Sequence, residues 1–157
     1  MMEMTDLLTP DSVIDGLKVN SKKQVLQDLA ERASALTGLG AREILETMLA
    51  RERLGTTGVG QGIAIPHGRM ESLDRIHGLF ACLKKPVDFE SLDEQPVDLI
   101  FMLLAPEGAG ADHLKALAKI SRLLRDKSIC RKLRGCDSSD ALYALLTETV
   151  AERRNTG

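Results

Sequence analysis

The sequence predicts an α/β layered domain. Segments with helical spacing alternate with short apolar runs, and the two longest runs, Ile76–Leu83 and Val97–Ala105, are apolar at nearly every position rather than at every second one. Strands of that kind are buried on both faces, which calls for helices on each side of the sheet. With 157 residues, 43% of them hydrophobic and 28% charged, the chain has room for one such domain and a substantial core.

The elements follow in order. Residues 13–19 suit a short first strand. Ser21, with Gln24 three residues on, makes a capping box. Leu26, Leu29, Ala30, Ala33 and Leu36 then keep helical spacing until Gly38 ends it. Ile44, Leu45, Met48 and Leu49 mark a second helix that Gly55 closes, with Arg51 in its last turn. Ile63-Ala64-Ile65 reads as a short buried strand that Pro66 is expected to stop. Ile76–Leu83 is polar only at His77, where strand packing is expected. Val97–Ala105 ends at Pro106 and Gly108–Gly110. Asp112 can cap a helix carrying Leu114, Leu117, Ile120, Ser121 and Leu124. Ser128–Arg134 is expected to be a short helix, and Asp137 or Ser138 to cap a last one that buries Leu142, Leu145 and Leu146. Residues 5–150 read as one domain and 151–157 as a frayed tail.

The densest chemistry lies in Thr56-Thr57-Gly58-Val59-Gly60-Gln61-Gly62-Ile63-Ala64-Ile65-Pro66-His67-Gly68-Arg69. Gly58, Gly60 and Gly62 alternate, so each can take φ > 0 or admit another group close to the backbone. His67 is expected at the strand end, beside backbone N–H groups that suit an anion. A neutral imidazole can attack a phosphoryl group near neutral pH, since its ordinary pKa is about 6.5. Known phosphate loops do not fit. No G-K-[ST] opens a helix, and these glycines precede a strand, whereas a dinucleotide loop follows one. Taken alone, the string also suits a tight loop around a structural histidine.

The whole string T-G-x-G-x-G-I-A-I-P-H-G closely resembles the active-site signature of enzyme IIA proteins of the bacterial phosphoenolpyruvate phosphotransferase system, in the mannitol/fructose superfamily. Ser21-Lys22-Lys23, Gln95-Pro96-Val97-Asp98-Leu99 and Asp126-Lys127-Ser128-Ile129-Cys130-Arg131-Lys132-Leu133-Arg134 resemble its nitrogen-regulatory branch. The resemblance implies the mannitol-type enzyme IIA fold, a mixed sheet flanked by helices. It implies a phosphocarrier that takes its phosphoryl group from a histidine-containing phosphocarrier protein onto His67, at Nε2. It also implies binding to regulatory targets according to phosphorylation state. No cofactor is called for, because the phosphoryl group is the cargo and arrives covalently.

The resemblance extends to other site residues. His113-Leu114 matches a second active-site histidine of the family; from spacing alone, His113 is an inward-facing residue at a helix start, satisfied by a backbone group. Arg51, 16 residues before His67, matches a family arginine. Its guanidinium can fork onto phosphoryl oxygens; a surface arginine supporting a helix C-terminus is the other reading. Gly58, Gly60, Gly62 and Gly68 are the expected phosphate-binding positions, with Gly68 leaving room for a partner. Arg53 and Arg69 are lesser candidates. Arg131, Lys132 and Arg134 form a solvated helix face or contact an acidic partner.

Two other functions stay open. One is a sugar-specific enzyme IIA that passes its phosphate to a permease, against which the nitrogen-type strings and the lack of a fused segment count. The other is an interaction module without catalysis. Net charge is −2 and aromatics are 3%, so nucleic acid is not an expected partner. Cys82, Cys130 and Cys136 show no C-x-x-C spacing, and neither a disulfide framework nor a metal site is expected. Cys82 is expected as a small core residue. No apolar run approaches the roughly 20 residues of a membrane span, and the N-terminus lacks a basic leader. A cytoplasmic location follows from these expectations.

Overall fold

The computed structural model describes residues 2–148, so the proposed tail and the end of the domain at 150 lie outside the described residues. Helices α1 (Met4–Leu7), α2 (Lys22–Thr37), α3 (Ala41–Arg53), α4 (Gly110–Arg125), α5 (Lys127–Arg134) and α6 (Ser139–Thr147) flank one sheet. Its strands are β1 (Val13–Leu17), β2 (Gly58–Gly60), β3 (Ile63–Ala64), β4 (His67–Met70), β5 (His77–Val87) and β6 (Val97–Pro106). They run in the order β1-β5-β6-β3-β2, with β4 also paired to β6. Pairing is mixed: β1 is parallel to β5, β5 antiparallel to β6, and β3 and β4 parallel to β6.

β6 is central and buried on both faces. Leu99, Phe101 and Leu103 join the cluster beneath α1, α4, α5 and α6. Ile100, Met102 and Leu104 face the other way, into the cluster with Val25, Leu29, Ile44 and Met48 of α2 and α3. Two separate apolar layers on one strand are what an unbroken apolar run produces in a sheet covered on both sides. Cys82 sits in the core, as expected, and burial pushes its thiol pKa up to about 11.

Local signals explain most helix boundaries. The Ser21 hydroxyl accepts from Gln24 N–H, and Gly38 ends α2 in the left-handed region at φ 80°. Asp126 caps α5 and Ser138 caps α6. Asp112 does not cap α4, which starts at Gly110 without a side-chain cap; the loop enters the helix one turn early and leaves Asp112 inside its first turn. His113 takes the inward position of that turn, as its spacing predicts, and leaves Leu114 exposed.

The signature segment departs most from expectation. Gly58 and Gly60 are not in a loop: β2 pairs antiparallel with β3 through Gly58↔Ala64 and Gly60↔Ile63, and Gly62 lies in the tight turn that joins the two strands. Nor does Pro66 stop the chain's alignment on β6. Ile63 faces Leu99, Ala64 faces Ile100 and His67 faces Leu103, so one register runs through the interruption. Proline lacks a donor but keeps its acceptor, and Pro66 O takes Leu103 N–H at 2.9 Å. His67 therefore begins a strand rather than following one.

Candidate functional site

β4 is where the sheet meets α3. A Cβ on Gly68 would lie 2.7 Å from Thr47 Cγ2 and 3.5 Å from Met48 Sδ, so the space that this glycine leaves is taken by α3. That close approach brings the last turn of α3 over His67. Arg51 in that turn donates through Nε to His67 Nε2 at 3.2 Å, and through Nη1 to Gly55 O at 2.9 Å.

The other ring nitrogen is fixed by the backbone. His67 Nδ1 lies 2.9 Å from Ile65 O. A carbonyl can only accept, so Nδ1 carries the proton and Nε2 holds the lone pair. The donor from Arg51 at Nε2 agrees with that tautomer.

His113 stands beside His67, with ring centroids 5.7 Å apart and planes at 69°. It is only 4% exposed. Arg69 donates through Nε to His113 Nδ1 at 3.0 Å. Nδ1 is thus the acceptor, and the proton of the neutral ring is on Nε2. Nε2 is buried and, among the described residues, has no hydrogen-bond partner. A buried N–H without an acceptor costs about 1–3 kcal/mol and calls for an explanation.

The electrostatics favour neutral rings. Burial, foremost, holds the His67 pKa below its ordinary value; Arg51 and Arg69 lower it further, against the Ile65 carbonyl and Glu52, which raise it. Burial also leads in lowering the His113 pKa, followed by His67 and Arg69. Two neutral imidazoles among cationic guanidinium groups form a site for an anion: one ring offers a lone pair, the other an idle donor.

The structure thus brings His67, His113 and Arg51 together. It adds Arg69, which sequence reasoning ranked low. Only a strand at His67–Met70 makes the signal readable: Arg69 is two residues from His67, and in a strand residues i and i+2 share a face. His77 lies at the start of β5, beside Asp74 and Arg75.

The three alternating glycines have other nearest neighbours. A Cβ on Gly58 would collide with Ser91 Oγ, and one on Gly60 would meet Asp93 Oδ2 at 3.1 Å. At Gly62 it would sit 2.6 Å from Arg134 Nη2 and 2.9 Å from Asp98 Oδ1. Gly60 and Gly62 have φ of 100° and 82°. Arg134, expected on a solvated helix face, instead forks onto Asp98 through Nε and Nη2, each at 2.9 Å, and donates to Gln61 O at 3.1 Å.

Fold and site together define a small α/β domain built around a backbone-oriented histidine that is flanked by Arg51 and stands beside a second histidine held by Arg69. The chain belongs to the family described as "Phosphoenolpyruvate-dependent sugar phosphotransferase system, EIIA 2", which matches residues 6–149. Members of this family transfer phosphoryl groups through a histidine. A "Nitrogen regulatory protein" of Bradyrhizobium diazoefficiens is 59% identical over 145 residues, 92% of this chain and 95% of that protein. The crystal structure of nitrogen regulatory protein IIA-Ntr from Neisseria meningitidis superposes with a TM-score of 0.88 at 35% identity, covering 92% of this chain and 99% of that one. Mannitol IIA from Escherichia coli shares the fold, with a TM-score of 0.72 at 24% identity over 88% of this chain and 98% of that one. Among the described residues, no helix is long and apolar enough to cross a membrane.

Proposed function

We propose that this protein accepts a phosphoryl group on Nε2 of His67 from the phosphohistidine of a carrier protein, and that its phosphorylation state governs binding to regulatory partners. The observation that carries the reading is the idle, buried Nε2–H of His113 next to a His67 ring whose lone pair is fixed on Nε2. A phosphoryl oxygen on His67 would supply the acceptor that His113 lacks.

The transfer balances without an external proton. The Nε2 lone pair of His67 forms a bond to phosphorus, and the P–N bond of the donor breaks and returns its electrons to the donor imidazole. The His67 ring keeps its Nδ1–H and shares positive charge, which the Ile65 carbonyl stabilises. Arg51, Arg69 and His113 face the charge spread over the phosphoryl oxygens. Such transfer relies on positioning and electrostatic stabilisation. Gly68 serves by admitting α3 beside His67, whereas Gly58, Gly60 and Gly62 shape the sheet edge. Gly60 is level with Leu99 and Gly62 with Asp98 on β6 while His67 is level with Leu103, too far along the strand, at about 3.3 Å per residue, for the backbone of Gly60 or Gly62 to meet an anion on His67.

The regulatory half rests on the names of the relatives and on the surface. Leu54 and Leu114 are 84% and 63% exposed, one three residues from Arg51 and the other next to His113. A phosphohistidine sets a doubly negative group beside these apolar residues, enough to make or abolish an interface without refolding.

Incubation with phosphoenolpyruvate, enzyme I and the carrier protein tests the chemistry. A mass gain of one phosphoryl group is expected, acid-labile and base-stable, and absent in His67→Ala. Full labelling of His67→Ala would overturn the assignment. Identical retention of partners by phosphorylated and unphosphorylated protein, with rapid transfer to a permease domain, would replace regulation by transport.

A further inference from the structure

We infer that Glu52 is a positioning residue for His67, acting through Thr57 and Ile65 to hold the carbonyl that sets the ring's tautomer. The inference rests on the reading of His67 as the phosphoryl acceptor.

Glu52 follows Arg51 in the last turn of α3, and its side chain is only 6% exposed. A buried carboxylate must be paired and hydrogen-bonded. Lys22 Nζ, at the start of α2, lies 2.8 Å from Oε2. Thr57 N–H reaches both carboxylate oxygens at 3.2 Å, and the Thr57 hydroxyl donates to Oε1. Every bond therefore runs inward to Glu52, and Thr57, itself 3% exposed, is clasped twice.

Thr57 is the link to the site. Its carbonyl accepts Ile65 N–H at 2.9 Å. The carbonyl of Ile65 then accepts from His67 Nδ1. The amide between Ile65 and Pro66 has no N–H, so its carbonyl cannot be fixed from its own donor side. What places it is the preceding N–H of Ile65 on Thr57 and the register of β4 on β6.

One helical turn thus controls both ends of the imidazole. Arg51 touches Nε2 directly. Glu52, which does not touch the ring, governs Nδ1 through a run from Lys22 to Glu52, Thr57, Ile65 and His67. A plain structural ion pair would stabilise the domain equally well without reference to the ring. The tautomer separates the two roles.

The test is ring ¹⁵N NMR on uniformly labelled full-length protein, above the pH at which His67 titrates, for the native protein, Glu52→Ala, Glu52→Gln and Thr57→Val. The native ring is expected as the Nδ1–H tautomer. Glu52→Ala should raise the Nε2–H share and slow phosphoryl acceptance by roughly ten- to a hundred-fold, as small misplacements of a reacting group do. Glu52→Gln keeps an oxygen for Thr57 and should recover most of both readings. Thr57→Val should shift the tautomer in the same direction as Glu52→Ala, and it serves alone if Glu52→Ala does not fold. Native tautomer populations in Glu52→Ala, or in Thr57→Val, would overturn the inference, and so would a Glu52→Gln variant as defective as Glu52→Ala. The tautomer is read without any phosphoryl donor. A native protein that takes no phosphate on His67 would therefore refute the phosphocarrier reading and leave the Glu52 result standing.

Discussion

His113→Leu separates a residue kept for function from one kept for the fold. His113 is nearly fully buried, yet its Nε2–H has no partner among the described residues. Removing that stranded donor should return about 1–3 kcal/mol. The Arg69 bond to Nδ1 is lost, at about 0.5–1.5 kcal/mol, but Arg69 is exposed and its guanidinium turns to water. Leucine is of similar bulk, and volume-conserving core changes cost under about 1.5 kcal/mol. The terms nearly cancel, so the net effect falls between roughly −2 and +2.5 kcal/mol, where a large-to-small truncation at a buried site costs about 2–5. In a domain of this size each kcal/mol moves the melting temperature by about 2–4 °C. Scanning calorimetry should therefore show a small shift of either sign. Transfer from the phosphorylated carrier, followed by rapid quench, should slow by about 10²–10³, the usual loss for one transition-state donor. A melting temperature lower by more than about 10 °C, or transfer at the native rate, would refute the reasoning and make His113 a core residue like its neighbours.

Four further outcomes follow from the geometry. The folded pKa values of His67 and His113 lie below 6.5, foremost because of burial, so the unfolded chain takes up protons first; stability should be level above that pH and fall as pH drops below it toward the folded values, and urea midpoints against pH will show it. For the same reason phosphoryl acceptance should hold through pH 6.5 and fail only at lower pH, and a rate already halved at 6.5 would contradict a neutral ring. Gly62→Ala should lower the melting temperature more than Gly60→Ala: both carry left-handed strain of about 1–2 kcal/mol, but the first also displaces the Arg134–Asp98 pair while the second meets only the exposed Asp93 carboxylate, and equal losses would show that the pair does not matter. Lys22→Met strands the Glu52 carboxylate and should cost a few kcal/mol in denaturant unfolding, with recovery in the Lys22→Met/Glu52→Gln double variant; additive losses would deny the coupling.

The parts of the fold visible in the sequence were those with strong local periodicity. The runs that became β5 and β6 could be seen because burial on both faces removes polar residues altogether. The helices could be seen from their spacing and from Ser21, Gly38 and Ser138. β2 was hidden because two of its three residues are glycine, which strands disfavour, and what holds it is pairing with β3. α1 is a single turn of four residues, too short for any period to show. β4 was hidden by Pro66, and with it went the alternation that puts Arg69 on the same face as His67. Nothing local could reveal the neighbours of the signature glycines, since Ser91, Asp93, Asp98 and Arg134 come from more than thirty positions down the chain. The resemblance of the signature picked out His67, His113 and Arg51; it could not supply the bonds that orient them.

Arg51 carries an apparent contradiction that the geometry resolves. Its Nε donates to the same Nε2 lone pair on which the proposed reaction depends, so a strong bond there would oppose attack. The contact is at the long end of N–H···N distances, 3.2 Å, whereas the Nη1 bond to Gly55 O is 2.9 Å. The tighter anchor is therefore the one away from the ring. A phosphoryl group on Nε2 would abolish the lone pair and replace it with charged oxygens, the better acceptors. The guanidinium can exchange one for the other while it stays fixed on Gly55. His113 works in the same direction: its donor is idle in the free protein and would be occupied in the phosphorylated one. Before the proposed transfer burial, with the arginine adding to it, lowers the pKa of His67 and keeps the ring neutral; after it, arginine and histidine would face the product oxygens. On the proposed reading both changes favour the phosphorylated state, so the contacts within the domain help it to accept a phosphoryl group, and release would have to be driven by what the acceptor offers in return.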